Sequence, residues 1–193
     1  MKPVFNKIFV QIEKKFQDEV ETKSGITFYK DTSYNLEENS TTFGNVIAVP
    51  EHVDRDTVGH DFVHNIQVGD KLYFNFNVVL DPDNMIQHEG NEYWTVDYWN
   101  AIAIVRDGVV KPVGSYILIE PIEEEVSSSI LIIPDSAKKV EGNKGIVFAS
   151  NDPEIPEGSV VEYDKVGKFW NIIEGKRLYC MYNENIFFIY NSK

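Results

Sequence analysis

Short apolar runs alternate with polar turns along this chain, and the pattern predicts β-strands. The runs are rich in β-branched and aromatic residues and are bounded by Gly, Pro, Asn and Asp. Strands are predicted at residues 7–13, 45–49, 71–80, 92–99, 101–105, 115–120, 145–149, 159–164, 177–182 and 186–190. No segment shows a sustained helical period with capping residues. Short strands at this spacing are typical of small β-barrels or sandwiches.

The apolar pattern also occurs twice along the chain. Five stretches of the first half are matched, in the same order, by five stretches of the second half. The pairs are 7–13 with 115–121, 24–28 with 128–132, 43–50 with 144–151, 68–75 with 157–164, and 97–105 with 181–189. We interpret the chain as two copies of one β-domain, residues 1–111 and 112–193. The first copy is interpreted as longer mainly through residues 51–67 and 81–90.

Both copies place a polar stretch with one apolar island between their first two matched strands. These stretches are residues 18–42 and 123–143, which is long for a loop in a compact domain, and such loops are usually functional or disordered. The islands are SGITF (24–28) and SSSILIIP (127–134). Each island is either a short barrel strand or an apolar hook that becomes ordered on a partner. Their place in the repeat favours the hook.

With these motifs in this order, the chain resembles the GroES-type co-chaperonin family, in tandem. The first copy carries VETKSGITF (20–28), GNVIAVP (44–50), VGDKLYFN (68–75) and NAIAIV (100–105). The second carries SSSILIIPDSAKK (127–139), KGIVFAS (144–150), EGSVVEYD (157–164) and NIFFIY (185–190). The resemblance spans nearly the whole chain and implies an all-β fold of two tandem GroES-like irregular antiparallel β-barrels.

The resemblance further implies a co-chaperonin that caps a chaperonin ring and assists ATP-dependent protein folding. Such a protein binds a GroEL-type chaperonin through mobile apolar loops, forms a homo-oligomeric ring, and is neither an enzyme nor dependent on a cofactor or metal. By position, the expected contacts are Ser24, Gly25, Ile26, Thr27 and Phe28 in loop one, and Ser129, Ile130, Leu131 and Ile132 in loop two. The alternative is a structural or oligomeric interaction module with the GroES fold, such as a virus could encode, that has no chaperonin partner.

Charge narrows the range of partners. The net charge of the chain is -13, and each half is acidic, with 10 basic and 18 acidic residues before Pro112, and 8 and 13 after it. Without a basic patch, the chain is not expected to bind nucleic acid or an anionic membrane surface. No signal peptide or membrane-spanning run is expected, and the single cysteine excludes an intrachain disulfide, so a cytoplasmic location is predicted. Cys180, in the apolar run RLYCMY, is expected to be a buried structural thiol.

Other chemistry has weaker support in the sequence. A zinc site is conceivable at His60 and His64, with His52, Asp54, Asp56 or Asp61 nearby, but no H-E-x-x-H pattern is present. Residues 81–84 (DPDN) predict a proline-containing turn rather than a calcium loop. The aromatic residues Tyr93, Trp94, Tyr98 and Trp99 are expected to be buried rather than to stack on a ligand. Motifs of nucleotide-binding and hydrolytic enzymes are missing.

Overall fold

The computed structural model describes residues 2–16, 18–22, 24–29, 31, 35–51, 65–125, 139–164 and 166–190. The chain divides into two compact units, residues 1–113 and 114–193, and each unit is described by itself.

A seven-stranded antiparallel sheet forms the first unit, in the order β6-β7-β1-β4-β5-β8-β9. Its strands are β1 (Lys7–Gln11), β4 (Phe43–Ala48), β5 (Lys71–Phe74), β6 (Met85–His88), β7 (Asn91–Asp97), β8 (Ala101–Arg106) and β9 (Val109–Pro112). A separate two-stranded sheet pairs β2 (Glu19–Glu21) with β3 (Thr27–Tyr29). The described part of the unit also contains two single-turn helices, α1 (Leu36–Asn39) and α2 (Asn77–Leu80), and two 3-10 turns, Pro82–Asn84 and Tyr98–Asn100. The core packs Ile8, Leu72, Phe74, Val96 and Ile104 together, because alternate residues of neighbouring strands face the same side.

The second unit is a six-stranded antiparallel sheet in the order β13-β14-β10-β11-β12-β15. Its strands are β10 (Tyr116–Glu125), β11 (Lys139–Ser150), β12 (Val160–Tyr163), β13 (Phe169–Ile173), β14 (Lys176–Tyr182) and β15 (Ile186–Tyr190). A 3-10 turn, Asn183–Asn185, precedes β15 as another precedes β8. The core contains Ile117, Ile119, Val147, Val161 and Tyr163.

Six strands follow the same order in the two sheets, with β13 in the place of β6, β14 of β7, β10 of β1, β11 of β4, β12 of β5 and β15 of β8. Two irregularities of the first sheet recur at matching places in the second, which has one more register shift, between Pro121 and Glu123. The register of β1 on β4 shifts between Phe9 and Val10, and Val10 pairs with Val46. The register of β10 on β11 shifts at the matching place, between Leu118 and Ile119, and Ile119 pairs with Val147. A second shift leaves Ile102 of β8 without a register partner on β5, and Phe187 of β15 without one on β12. The first unit adds β9 beside β8.

The prediction of an all-β fold in two antiparallel β units is confirmed. All the predicted strands overlap strands of the structure. Within the described ranges, the outermost strands of each sheet do not pair with each other, so neither strand order closes into a barrel.

Several details of the prediction were wrong. The strand expected at 71–80 ends at Phe74, because Asn75 Oδ1 accepts the N–H of Asn77 (3.0 Å) and starts the turn α2, where Val78 and Val79 are buried. Residues 81–90, interpreted as extra length in the first copy, contain strand β6. Strand β13, which was not predicted, holds the same position in the second sheet. Both strands are edge strands of their sheets, and β6 has no buried residue that would mark it in the sequence.

One glycine in each sheet lies where strands approach too closely for a side chain. A Cβ atom at Gly44 of β4 would lie 2.8 Å from the carbonyl oxygen of Gln11 and 3.2 Å from Cγ1 of Ile12. A Cβ atom at Gly145 of β11 would collide with Cγ2 of Ile119 and would lie 2.7 Å from the carbonyl oxygen of Glu120. Both contacts involve backbone atoms that cannot move without displacing a strand.

We expect Gly145→Ala to lower the free energy of unfolding by about 1–3 kcal/mol, because the added methyl overpacks the junction of β10 and β11. Chemical denaturation followed by tryptophan fluorescence measures the loss. The control is Ile146→Thr, which changes an exposed neighbour on the same strand and adds nothing to the junction. Equal stability of Gly145→Ala and the parent protein would contradict the proposed crowding.

Candidate functional site

Loop one forms a β-hairpin that lies outside the main sheet of the first unit. The chain leaves β1 at Gln11, builds the hairpin from β2 and β3, and returns through α1 to β4. Its ladder pairs Glu19 with Tyr29, Val20 with Phe28, and Glu21 with Thr27. The island SGITF is therefore neither a barrel strand nor an irregular loop. Its first half forms the tip of the hairpin, and Thr27 and Phe28 lie in strand β3.

Polar contacts of Thr22 hold the tip of the hairpin. Its Oγ1 accepts the N–H of Ile26 (3.0 Å) and its hydroxyl donates to the carbonyl of Ile26 (3.1 Å), whose oxygen also accepts the N–H of Thr22 (2.9 Å). The Oγ atoms of Thr22 and Ser24 lie 2.9 Å apart, and the N–H of Gly25 donates to the carbonyl of Thr22 (2.9 Å). Gly25 has a φ of 80°, a conformation that side chains disfavour. The tip is thus specified by the local sequence T-x-S-G-I.

The base of the hairpin is attached to the body of the unit. The N–H of Thr41 donates to the carbonyl of Lys15 (3.0 Å), its hydroxyl donates to the carbonyl of Lys14 (2.5 Å), and Phe16 forms an isolated bridge with Ser40. The Lys14 ammonium lies 2.7 Å from a carboxylate oxygen of Glu19, and this hydrogen bond, together with the charge of Glu19, raises the pKa of Lys14 despite some desolvation. Backbone bonds therefore fix where the hairpin begins, and the ion pair crosses its base.

The hairpin exposes apolar side chains that its own unit does not cover. Ile26 is 55% exposed, Phe28 56% and Tyr29 76%. Ile26 and Phe28 are two residues apart in extended chain and so share one face, whereas Thr27 and Tyr29 share the other. A folded hairpin that leaves large apolar side chains in water is typical of a docking element. Tyr29 was not among the predicted contacts, although an aromatic residue directly after the apolar triplet was a usable signal.

Loop two lies outside the described residues. Its predicted contacts, Ser129, Ile130, Leu131 and Ile132, all fall within residues 126–138. The structure describes the stem on which they stand, where β10 and β11 pair as far as Glu125 opposite Lys139. Loop two thus connects β10 to β11, as loop one connects β1 to β4.

Two other stretches were candidates for metal sites, residues 52–64 for zinc and residues 81–84 for calcium. All of the histidines and aspartates proposed for zinc lie within residues 52–64, outside the described part of the chain, and the described part contains no cluster of three or more metal-ligating side chains. Residues 82–84 form a proline-containing 3-10 turn, as predicted, capped by Asp81 Oδ1, which accepts the N–H of Asp83 (3.0 Å).

The aromatic group is only partly buried. Trp94 and Tyr98 belong to the core, Tyr93 is half-buried, and Trp99 is 46% exposed. Cys180 is fully buried, as predicted, and its burial raises the pKa of the thiol. None of the helices described is long and apolar enough to cross a membrane.

Comparison with protein families relates the second unit to co-chaperonins. Residues 109–190 match the family of the chaperonin 10 Kd subunit, the GroES-type family. The match begins at β9 and ends with β15, and so includes the β10–β11 ribbon that carries loop two. No curated protein matches the chain. The second half of the chain is therefore similar to this family, and the match does not extend to the first half.

We expect Thr22→Val to loosen the tip of the hairpin, because the isosteric methyl cannot bond to the backbone of Ile26. Loss of a hydrogen bond with a net value of about 0.5–1.5 kcal/mol speeds amide exchange at Ile26 by roughly two- to tenfold. Hydrogen exchange measured by NMR detects this change. Thr27→Val, on the exposed strand, is the matched control. Exchange at Ile26 as slow in Thr22→Val as in the control would remove the hydroxyl from the account of the tip.

Proposed function

We propose that this protein is a tandem co-chaperonin, which caps a chaperonin ring through its two loops and assists ATP-dependent protein folding. The observation that carries the proposal is the hairpin of loop one, which presents Ile26 and Phe28 to solvent. It lies between the first two paired strands of a unit whose strand order is shared with the unit that resembles the chaperonin 10 Kd subunit.

The shared details of the two sheets support a tandem arrangement. The strand order, the two register shifts and the crowded glycine recur at matching places, and independent features of a fold rarely coincide in this way. In this proposal the first unit is a GroES-like unit as well, and loops one and two are equivalent.

Binding through several short apolar loops suits a cap that must be released. Burial of one large apolar side chain contributes about 1.5–3 kcal/mol, and this gain is reduced by the cost of ordering any flexible loop. A single loop therefore binds weakly, whereas a homo-oligomeric ring presents many loops to one chaperonin and gains avidity. The proposed role needs no catalytic residue or cofactor. The cytoplasmic location stays a prediction from composition.

We expect the double variant Ile26→Ser, Phe28→Ser to weaken binding to a GroEL-type chaperonin, measured by calorimetry in ADP. The loss is about 3–6 kcal/mol per hairpin if both side chains are buried in the complex, reduced by whatever contact serine keeps. The control is Val68→Ser, Val166→Ser, which removes comparable exposed apolar surface far along the chain from the hairpin, at side chains 63% and 77% exposed. Equal affinity of the hairpin variant and this control would remove loop one from the mechanism.

The matching variant of loop two is Leu131→Ser, Ile132→Ser. If the loops are equivalent, it weakens chaperonin binding as the loop-one variant does, and combining the two abolishes nucleotide-dependent co-elution in size-exclusion chromatography. Full binding by the combined variant would contradict the loop mechanism. An assembled protein that never co-elutes with a chaperonin would instead favour the structural module.

A further inference from the structure

The hairpin of β13 and β14 in the second unit is positively charged, although the chain as a whole is acidic. Residues 165–177, which include β13 and the turn into β14, contain four basic residues and one acidic residue, Glu174. The net charge of the chain is -13. A local excess of positive charge on such a chain is a feature that the all-β fold alone does not explain.

The hairpin of β6 and β7 is the counterpart of this hairpin in the first unit. Met85 pairs with Trp94 at the same place in the sheet where Trp170 pairs with Tyr179. Both turns are a Glu-Gly pair with positive φ angles, 52° and 80° in Glu89-Gly90 and 49° and 77° in Glu174-Gly175. The two hairpins can therefore be compared position by position.

At matching positions the two hairpins carry opposite charges. Lys168 corresponds to Asp83, and Arg177 corresponds to Glu92. Residues 80–92, which match residues 165–177, contain four acidic residues and neither lysine nor arginine. Because the acidic hairpin forms the same strand pairs and the same turn, the fold does not require the positive charge. The charge in the second unit therefore indicates recognition rather than folding.

The basic side chains lie over aromatic rings on one face of the hairpin. Trp170 and Ile172 share this face, and Arg177 and Tyr179 join it because they stand directly opposite Ile172 and Trp170. The guanidinium of Arg177 lies 5.1 Å from the centroid of the Trp170 ring. The ammonium of Lys168 lies 3.9 Å from the centroid of the Tyr179 ring. These contacts hold two cations side by side in defined positions.

An apolar side chain lies in water beside the two cations. Ile172 is 51% exposed, and the residue at its place in the first unit is the polar Gln87. Trp170 packs against the core of the unit and is only partly buried. Strand β13 is also the outermost strand of its sheet within the described residues, so its edge can accept an extended segment. We call Lys168, Trp170, Ile172 and Arg177 the basic face.

We propose that the basic face binds an acidic, extended segment of a partner polypeptide, in which an apolar side chain lies next to carboxylates. The carboxylates bind Lys168 and Arg177, whose guanidinium can take a carboxylate with two hydrogen bonds. The apolar side chain covers Ile172 and the exposed part of Trp170, and the main chain lies along β13. This inference goes beyond the proposed function and needs no chaperonin.

The chemistry of the face favours a peptide over a nucleic acid. The rings of Trp170 and Tyr179 already contact the protein's own cations, whereas single-stranded nucleic acids use such rings to stack their bases. A long polyanion would also be repelled by the remainder of this acidic chain. A short acidic segment places its charge only at the basic face.

The first test measures binding of a fluorescein-labelled peptide, in which glutamates flank a central leucine, by fluorescence anisotropy. Lys168→Asp, Arg177→Glu introduces the residues of the first unit, which the same hairpin accommodates, and is expected to weaken binding about tenfold or more. The control, Lys2→Asp, Lys111→Glu, changes the net charge equally at two exposed lysines and should keep the parent affinity. Equal losses in variant and control, or a parent protein that does not bind the peptide, would overturn the proposal.

A second variant separates the apolar contact from the charge. Ile172→Gln, again the residue of the first unit, should weaken binding of the leucine peptide roughly three- to tenfold. It should leave unchanged the weaker binding of a peptide with serine in place of leucine. Both variants should keep the melting temperature of the parent protein. Parent affinity for the leucine peptide in Ile172→Gln would remove the apolar contact and contradict the proposed partner.

Two other occupants are outcomes of the same experiments. A labelled single-stranded oligouridylate that binds the parent protein more tightly than the acidic peptide would assign the face to nucleic acid and overturn the proposal. Lys168→Asp, Arg177→Glu is expected to keep the parent mass in light scattering. A lower mass would assign the face to the acidic hairpin of a second copy. The hairpin variant Ile26→Ser, Phe28→Ser should bind the peptide as the parent does, so loss of chaperonin binding and loss of peptide binding are distinguishable.

Discussion

The close approach of strands at Gly44 and Gly145 is the constraint on which both sheets depend. Gly44 lies in β4, between β1 and β5, and Gly145 lies in β11, between β10 and β12. A side chain there would push the strands apart and break the ladder on at least one flank. With the glycine in place, β4 and β11 pair on both sides, and the apolar faces of their neighbours meet in one core.

This arrangement also determines where loops one and two leave the sheets. The chain leaves the sheet beside each crowded glycine, after Gln11 in the first unit and along β10 beyond Glu120 in the second. In the first unit, the hairpin that follows leaves Ile26, Phe28 and Tyr29 exposed. In loop one the support comes from Lys14, Lys15 and Thr41. The tip owes its shape to Thr22, so a rigid body presents a small apolar surface whose geometry is set locally.

The two units solve the problem of the open sheet edge differently. In the first, the chain continues through Asp107 and Gly108 into β9 and covers β8 with its own next segment. In the second, β15 is the final strand, and nothing in the described chain follows it beside the edge. The two units therefore differ at this edge, because β9 covers β8 and no described strand covers the corresponding side of β15.

The sequence by itself determined the strands whose residues face a core, since burial of alternating Val, Ile, Leu and aromatic residues is favourable in any β arrangement. It also indicated the repeat and the place of both islands. It did not determine β6, β13 or the hairpin, because Met85–His88 and Thr27–Tyr29 are half-buried or exposed and carry no burial pattern. Only the tertiary structure decided which apolar residues remain in water. Phe188 and Ala103 hold matching places, yet exposure depends on whether another strand lies alongside, and no local pattern encodes that neighbour.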